Sequence, residues 1–237
     1  MSDINPTVTS PQQSEPAILY AGGRPRNPAG AAKMFAAAFA GLDKPLVAYV
    51  GTANGDSLPF FQMMKSQLMA GGAGKVVRLR LAKDKSDIEK AIDILNQAEM
   101  IFFSGGEVED GMVWLKKHNL IGLLHELYQQ GRRFVGVSAG TIMLGSHWVH
   151  WDVEGDDDTS SLFDCLGVVP RLFDVHGESE NWVELKAALK LLGDSAMGYG
   201  LCSGCSISAD SQGNLQTLEG ELLVFANQAG VINQLPG

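Results

Sequence analysis

Short apolar runs and longer amphipathic stretches take turns along the chain from residue 17 to about residue 145. Ordered structure is expected to begin at Ala17-Ile-Leu-Tyr20, and Leu46-Val-Ala-Tyr-Val50, Val76-Val-Arg-Leu-Arg-Leu81, Met100-Ile-Phe-Phe103 and Phe134-Val-Gly-Val137 are compact and bounded by glycine or polar turn residues, which predicts strands. Residues 29–41, 59–70, 86–97 and 111–130 carry helical patterns between them. Ser86-Asp-Ile-Glu89 has the form of a capping box, in which two side chains satisfy free N–H groups at a helix start. Strands that alternate with helices imply right-handed crossovers. The expected fold is therefore α/β and three-layered, with a mostly parallel central sheet and helices on both faces. In such sheets, ligands bind beyond the carboxyl ends of the strands.

The pattern changes after about residue 150. Trp151 to Ser161 is acidic and polar and reads as a loop, and residues 180–192 read as a helix. Short strands are predicted at 196–201, 204–209, 214–218 and 221–226, with turn chemistry in Asp210-Ser-Gln-Gly213 and Leu218-Glu-Gly220. These are expected to add antiparallel C-terminal strands to the sheet. Residues 1–15, rich in Ser, Gln and Pro, read as a flexible tail, and 16–237 as a single α/β domain.

Composition narrows the function classes. The 237 residues are 45% hydrophobic and carry a formal net charge of −9, a field that repels phosphate backbones and argues against nucleic acid as a partner. Three cysteines, Cys165, Cys202 and Cys205, do not make a disulfide framework and fit a reducing compartment. Met1-Ser-Asp-Ile-Asn-Pro6 lacks a basic region followed by an apolar one, and no apolar run approaches the roughly 18 residues of a membrane helix. A cytoplasmic protein that neither binds nor crosses a membrane is expected, and a homo-oligomer stays open.

The candidate chemistry lies in Gly136-Val-Ser-Ala-Gly140, a G-x-S-x-G elbow with a strand before it and Thr141-Ile-Met-Leu-Gly145 continuing as a helix. A nucleophile needs a sharp strand-to-helix turn, and flanking glycines admit the close backbone packing there. The N–H of the next residue, Ala139, can then meet a developing oxyanion. Phe103-Ser-Gly-Gly106 ends the preceding strand, so Gly105 and Gly106 are either a second source of oxyanion N–H groups or a plain turn. Histidine is the usual base for a serine nucleophile, and His176 in Phe173-Asp-Val-His-Gly-Glu178 follows a short apolar run. Cys202-Ser-Gly-Cys205 lacks the second pair of a structural zinc site. His147-Trp-Val-His150 has helical spacing beside an acidic loop. No metal and no cofactor are expected at either.

At these residues the chain resembles the serine peptidases that include aspartyl dipeptidase (dipeptidase E) and cyanophycinase, over residues 17 to about 210. Ala48-Tyr-Val-Gly-Thr-Ala-Asn-Gly-Asp56 resembles the family's second strand and turn, Phe103-Ser-Gly-Gly106 its glycine-rich turn, and Val137-Ser-Ala-Gly140 its elbow. Leu166-Gly-Val-Val169 and Asp174-Val-His176 resemble the segment leading to its histidine. The resemblance implies a class I glutamine amidotransferase-like fold with serine as nucleophile. Two departures stand out. The family's histidine is followed by phenylalanine and then arginines, whereas Gly177-Glu-Ser-Glu-Asn-Trp182 follows here. In the family a glutamate orients the histidine, and Ser203 occupies its place. Asp152, Glu154 and Glu178 are the candidate acids, with Asp152 assigned to the catalytic set beside Ser138 and His176.

The leading expectation is a serine hydrolase that cleaves a small peptide or amide. The alternatives are a binding or regulatory protein on the same fold with a weakened site, and an amidotransferase-like enzyme, which serine rather than cysteine at position 138 disfavours.

Overall fold

The computed structural model describes residues 16–23, 28–153 and 155–236. The tail expected over residues 1–15, and Glu154 as a candidate acid, lie outside the described residues. The first half runs β1 (Ala17–Tyr20), α1 (Pro28–Phe39), β2 (Leu46–Val50), α2 (Leu58–Gly71), β3 (Lys75–Leu79), α3 (Ile88–Gln97), β4 (Met100–Phe103), α4 (Val108–Lys117), α5 (Ile121–Gln129), β5 (Arg133–Val137) and α6 (Ala139–Leu144). The second half runs β6 (His147–Trp151), β7 (Ser160–Asp164), β8 (Leu172–Val175), α7 (Val183–Leu192), β9 (Met197–Leu201), β10 (Ser206–Ala209), β11 (Leu215–Glu219), β12 (Leu222–Gln228) and β13 (Val231–Leu235).

A seven-stranded sheet has the order β11-β10-β1-β5-β4-β2-β3. Its five strands from the first half are parallel, and β10 and β11 add antiparallel at one edge. Neighbours on both sides and helices on both faces leave β4 no solvent, which is why Met100-Ile-Phe-Phe103 is wholly apolar. Successive side chains point to opposite faces. Ile101 and Phe103 join a core with Leu95 of α3, Met112 of α4 and Leu124 of α5. Met100 and Phe102 join the opposite core with Met34 of α1 and Leu68 of α2.

Several expectations need correction. The helix expected over 111–130 is two helices, because Asn119 adopts a left-handed φ of 56° between them. The start of α3 is capped by Asp87, whose side chain accepts from Lys90 N at 3.1 Å, while Ser86 Oγ donates to Lys83 O instead. His147-Trp-Val-His-Trp151 is a strand paired antiparallel with β7, not helical, so the loop after it is only the hairpin connection. The C-terminal strands divide. Only β10 and β11 extend the main sheet, whereas β9 and β12 form a second sheet with β13 and β8, in the order β13-β12-β9-β8. Two glycines of β9 show why α7 can cover this sheet. A Cβ on Gly198 would stand 2.7 Å from Leu185, and one on Gly200 2.8 Å from Trp182. The parallel pairing of β8 with β9 carries residue 176 to its place.

Candidate active site

Ser138 lies between β5 and α6 with φ 54° and ψ −122°, a conformation that costs a non-glycine residue about 1–3 kcal/mol. The surroundings hold it there. Ser138 N–H donates to Tyr20 O at 2.9 Å. The buried Thr141 hydroxyl lies 3.0 Å from both Tyr20 O and Gly136 O and accepts from Tyr20 N at 3.2 Å. Both elbow glycines are sterically required: a Cβ on Gly136 would stand 2.6 Å from Gly140 O, and one on Gly140 2.2 Å from Phe103 O. Ser138 therefore sits on a strained strand-to-helix turn at the carboxyl end of a central parallel strand.

The turn after β4 passes over Ser138. A Cβ on Gly105 would stand 3.1 Å from Ser138 Cβ and 3.6 Å from its Oγ. Gly106, at φ 144°, packs so closely that a Cβ would stand 1.9 Å from Ala53 O. Asn54 secures this turn, donating through Nδ2 to Ser104 Oγ at 2.7 Å and to Gly105 O at 2.8 Å. Among the described residues, the N–H groups of Gly106 and Ala139 have no backbone or side-chain acceptor, and both residues line the cavity in front of Ser138. Sequence reasoning passed over Asn54, although it lies in the turn after β2 that resembles the family's.

His176 follows β8 with φ 45°, and its N–H donates to Leu201 O at 2.9 Å. Its Nε2 lies 3.0 Å from Ser138 Oγ, so two residues 38 apart in sequence come within hydrogen-bond reach of each other. Asp152 does not join them. Its carboxylate is 82% exposed and lies 3.4 Å from His150 Nε2, with His150 Nδ1 bonded to Glu109 at 2.7 Å. The Glu109 bond raises the pKa of His150. Asp152 is thus engaged with His150, whose ring reaches Glu109 of α4, and not with His176, against the expectation from the sequence. Among the described residues no carboxylate lies within hydrogen-bond reach of the His176 ring. Glu178 comes near by another route: Ser203 N–H donates to Glu178 Oε1, and Ser203 Oγ lies 3.4 Å from Oε2.

The cavity in front of Ser138 has a volume of about 630 Å³. Trp148 and Trp151 of β6 line it, and Glu107, Glu109, Asp110, Glu180 and Glu184 make much of it acidic. Asp174 also lines it but is only 2% exposed. Burial pushes its carboxyl up to about 8, with Glu184 and Glu180 adding to the rise, and its Oδ1 accepts from Val175 N at 2.6 Å. Arg171 is held elsewhere, donating through Nε to Gly213 O at 2.9 Å. Cys202 and Cys205 flank a tight turn closed by Cys205 N to Cys202 O at 2.8 Å, and burial pushes both thiols up to about 12. Thiols held protonated are poor nucleophiles. No helix among the described residues is long and apolar enough to cross a membrane.

The family model for peptidase family S51 matches residues 18–215. Among solved structures, the chain is similar to a peptidase from an acI-B1 Actinobacterium, with 21% identity over 95% of each chain and a TM-score of 0.66. It is also similar to a putative peptidase E protein from Listeria monocytogenes EGD-e, with 15% identity, a TM-score of 0.63, and coverage of 86% of this chain and 98% of that one. At such identities the likeness is one of fold. No curated protein matches the chain.

Proposed function

From the premise that this chain belongs to peptidase family S51 and is a serine-type peptidase, we propose that Ser138 and His176 hydrolyse an amide bond in a small peptide or related amide. The observation that carries the reading is the 3.0 Å contact between Ser138 Oγ and His176 Nε2 at a strained elbow. Ser138 Oγ attacks the carbonyl carbon while His176 Nε2 takes the hydroxyl proton. The oxyanion forms between the N–H groups of Ala139 and Gly106, which need no reorganisation to receive it. The C–N bond then breaks, and the departing amine takes the proton from His176. A water molecule, deprotonated by the same nitrogen, attacks the acyl carbon; the ester C–O bond then breaks, and His176 returns the proton to Ser138 Oγ as the acid leaves. The cavity of about 630 Å³ is within the range of small-ligand sites and favours short substrates over folded proteins. The Ser138–His176 contact favours this reading over a binding protein on the same fold.

Fluorophosphonate labelling tests it. Intact-mass analysis is expected to show one adduct, mapped to Ser138 and lost in Ser138→Ala. Labelling that persists in that variant would refute the reading.

A further inference from the structure

His176 stands at the exposed end of β8 in a left-handed conformation, and among the described residues its ring bonds only to Ser138. Something must hold this turn, because a base displaced by about 1 Å can cost roughly 10²-fold in rate. Asp152 is turned to His150, and Asp174 is folded back on Val175 N–H. Glu178 differs from both. It lies two residues after His176, and both its oxygens are engaged by Ser203, one by the N–H and one by the hydroxyl. Ser203 in turn packs beside the histidine: a Cβ on Gly23 would stand 2.5 Å from Ser203 Oγ and 2.9 Å from His176 Cβ. The backbone supplies the other tie, His176 N–H to Leu201 O at 2.9 Å. Residues 176–178 are thus fastened to residues 201–203 at two points, one through main chain and one through a carboxylate. The other backbone bonds of the turn, Glu180 N–H and Trp182 N–H to Gly177 O and Asn181 N–H to Glu178 O, stay within the segment and do not reach the neighbouring strand.

We propose that Glu178 is the positioning residue for His176: seated on Ser203, its carboxylate fixes the turn that presents the imidazole to Ser138. The proposal rests on the reading of Ser138 and His176 as the reacting pair. Glu178 acts through the histidine and touches no reacting atom. What matters is the two-point seat, so glutamine, which can accept from Ser203 N–H and donate to Ser203 Oγ, should replace glutamate, whereas a shorter side chain should not.

The test is the rate of Ser138 labelling by a fluorophosphonate, resolved into reagent affinity and maximal rate, with thermal melting as the check on folding. Glu178→Ala is expected to lower the maximal rate at least about tenfold with affinity nearly unchanged. Glu178→Gln is expected to stay within about threefold of wild type. Glu178→Asp, one methylene too short to reach Ser203, is expected to lose as much as alanine and keeps the test open if Glu178→Ala does not fold. Alanine and aspartate variants that both label within about twofold of wild type overturn the proposal and leave the Ser138–His176 reading intact. A glutamine variant as slow as alanine also overturns it, since the seat would then not be what matters. Wild type that fails to label at Ser138 overturns the functional reading and this inference together.

Discussion

Substituting Gly105 by alanine should separate stability from reactivity. The new methyl would stand 3.1 Å from Ser138 Cβ, 3.4 Å from Val137 O and 3.6 Å from Ser138 Oγ. The closest contact is short by only a few tenths of an ångström and is with a side chain that can turn slightly. The stability cost should therefore be about 1 kcal/mol, at the low end for overpacking. The same methyl crowds the nucleophile, and a shift of Oγ comparable to the overlap misaligns it with both His176 Nε2 and the incoming carbonyl. A loss of about 10- to 100-fold in rate is expected. Gly106→Ala supplies the contrast. Its Cβ would stand 1.9 Å from Ala53 O, a backbone atom, at a φ of 144°. Strain and overlap together should cost about 3–6 kcal/mol, a large part of a typical domain's stability. Thermal melts with fluorophosphonate labelling rates decide the matter. A Gly105→Ala protein that labels within twofold of wild type would refute the reasoning, because the turn would then not overlie the nucleophile as described.

Three further outcomes are expected. Thr141→Val removes the buried hydroxyl that joins Tyr20 and Gly136 to the elbow and should cost about 1–3 kcal/mol in urea denaturation, with no change in the midpoint counting against this role. Asp174 has a folded-state pKa raised to about 8, so between about pH 4 and pH 8 the folded state holds a proton that the unfolded state has released. Stability should therefore fall as pH rises through that window, and Asp174→Asn should flatten the fall; an identical slope in the variant would contradict the assignment. In a dipeptide panel, the acidic wall of Glu107, Glu109, Asp110 and Glu180 should make N-terminal aspartyl dipeptides poor substrates beside neutral or basic ones. Efficient Asp-X cleavage that disappears in Ser138→Ala would count against the wall as a selector, with a cation such as Arg24 or Arg26, outside the described residues, as the next place to look.

Features set by neighbours in the chain were open to reading from the sequence. β2 and β4 have the bounds their apolar runs predict, because a strand buried on both faces has to be apolar throughout. The strand-to-helix turn at Ser138 has the same local cause: glycines at 136 and 140 admit the close packing of strand, turn and helix. Only the tertiary structure decided features that depend on distant partners. The two tryptophans and two histidines of His147–Trp151 suit a helix by spacing, and pairing with β7 makes them a strand. The C-terminal strands look alike in sequence, yet their hydrogen-bond partners send β10 and β11 to one sheet and β9 and β12 to another. The choice among Asp152, Glu154 and Glu178 was beyond the sequence, because all three stand at plausible separations and a carboxylate's reach is settled by distance in space. The hairpin carries Asp152 to His150, and the pairing of β8 with β9 carries Glu178 to Ser203. Short-range sterics write the elbow into the chain, whereas the group beside the histidine is selected by which strands find each other.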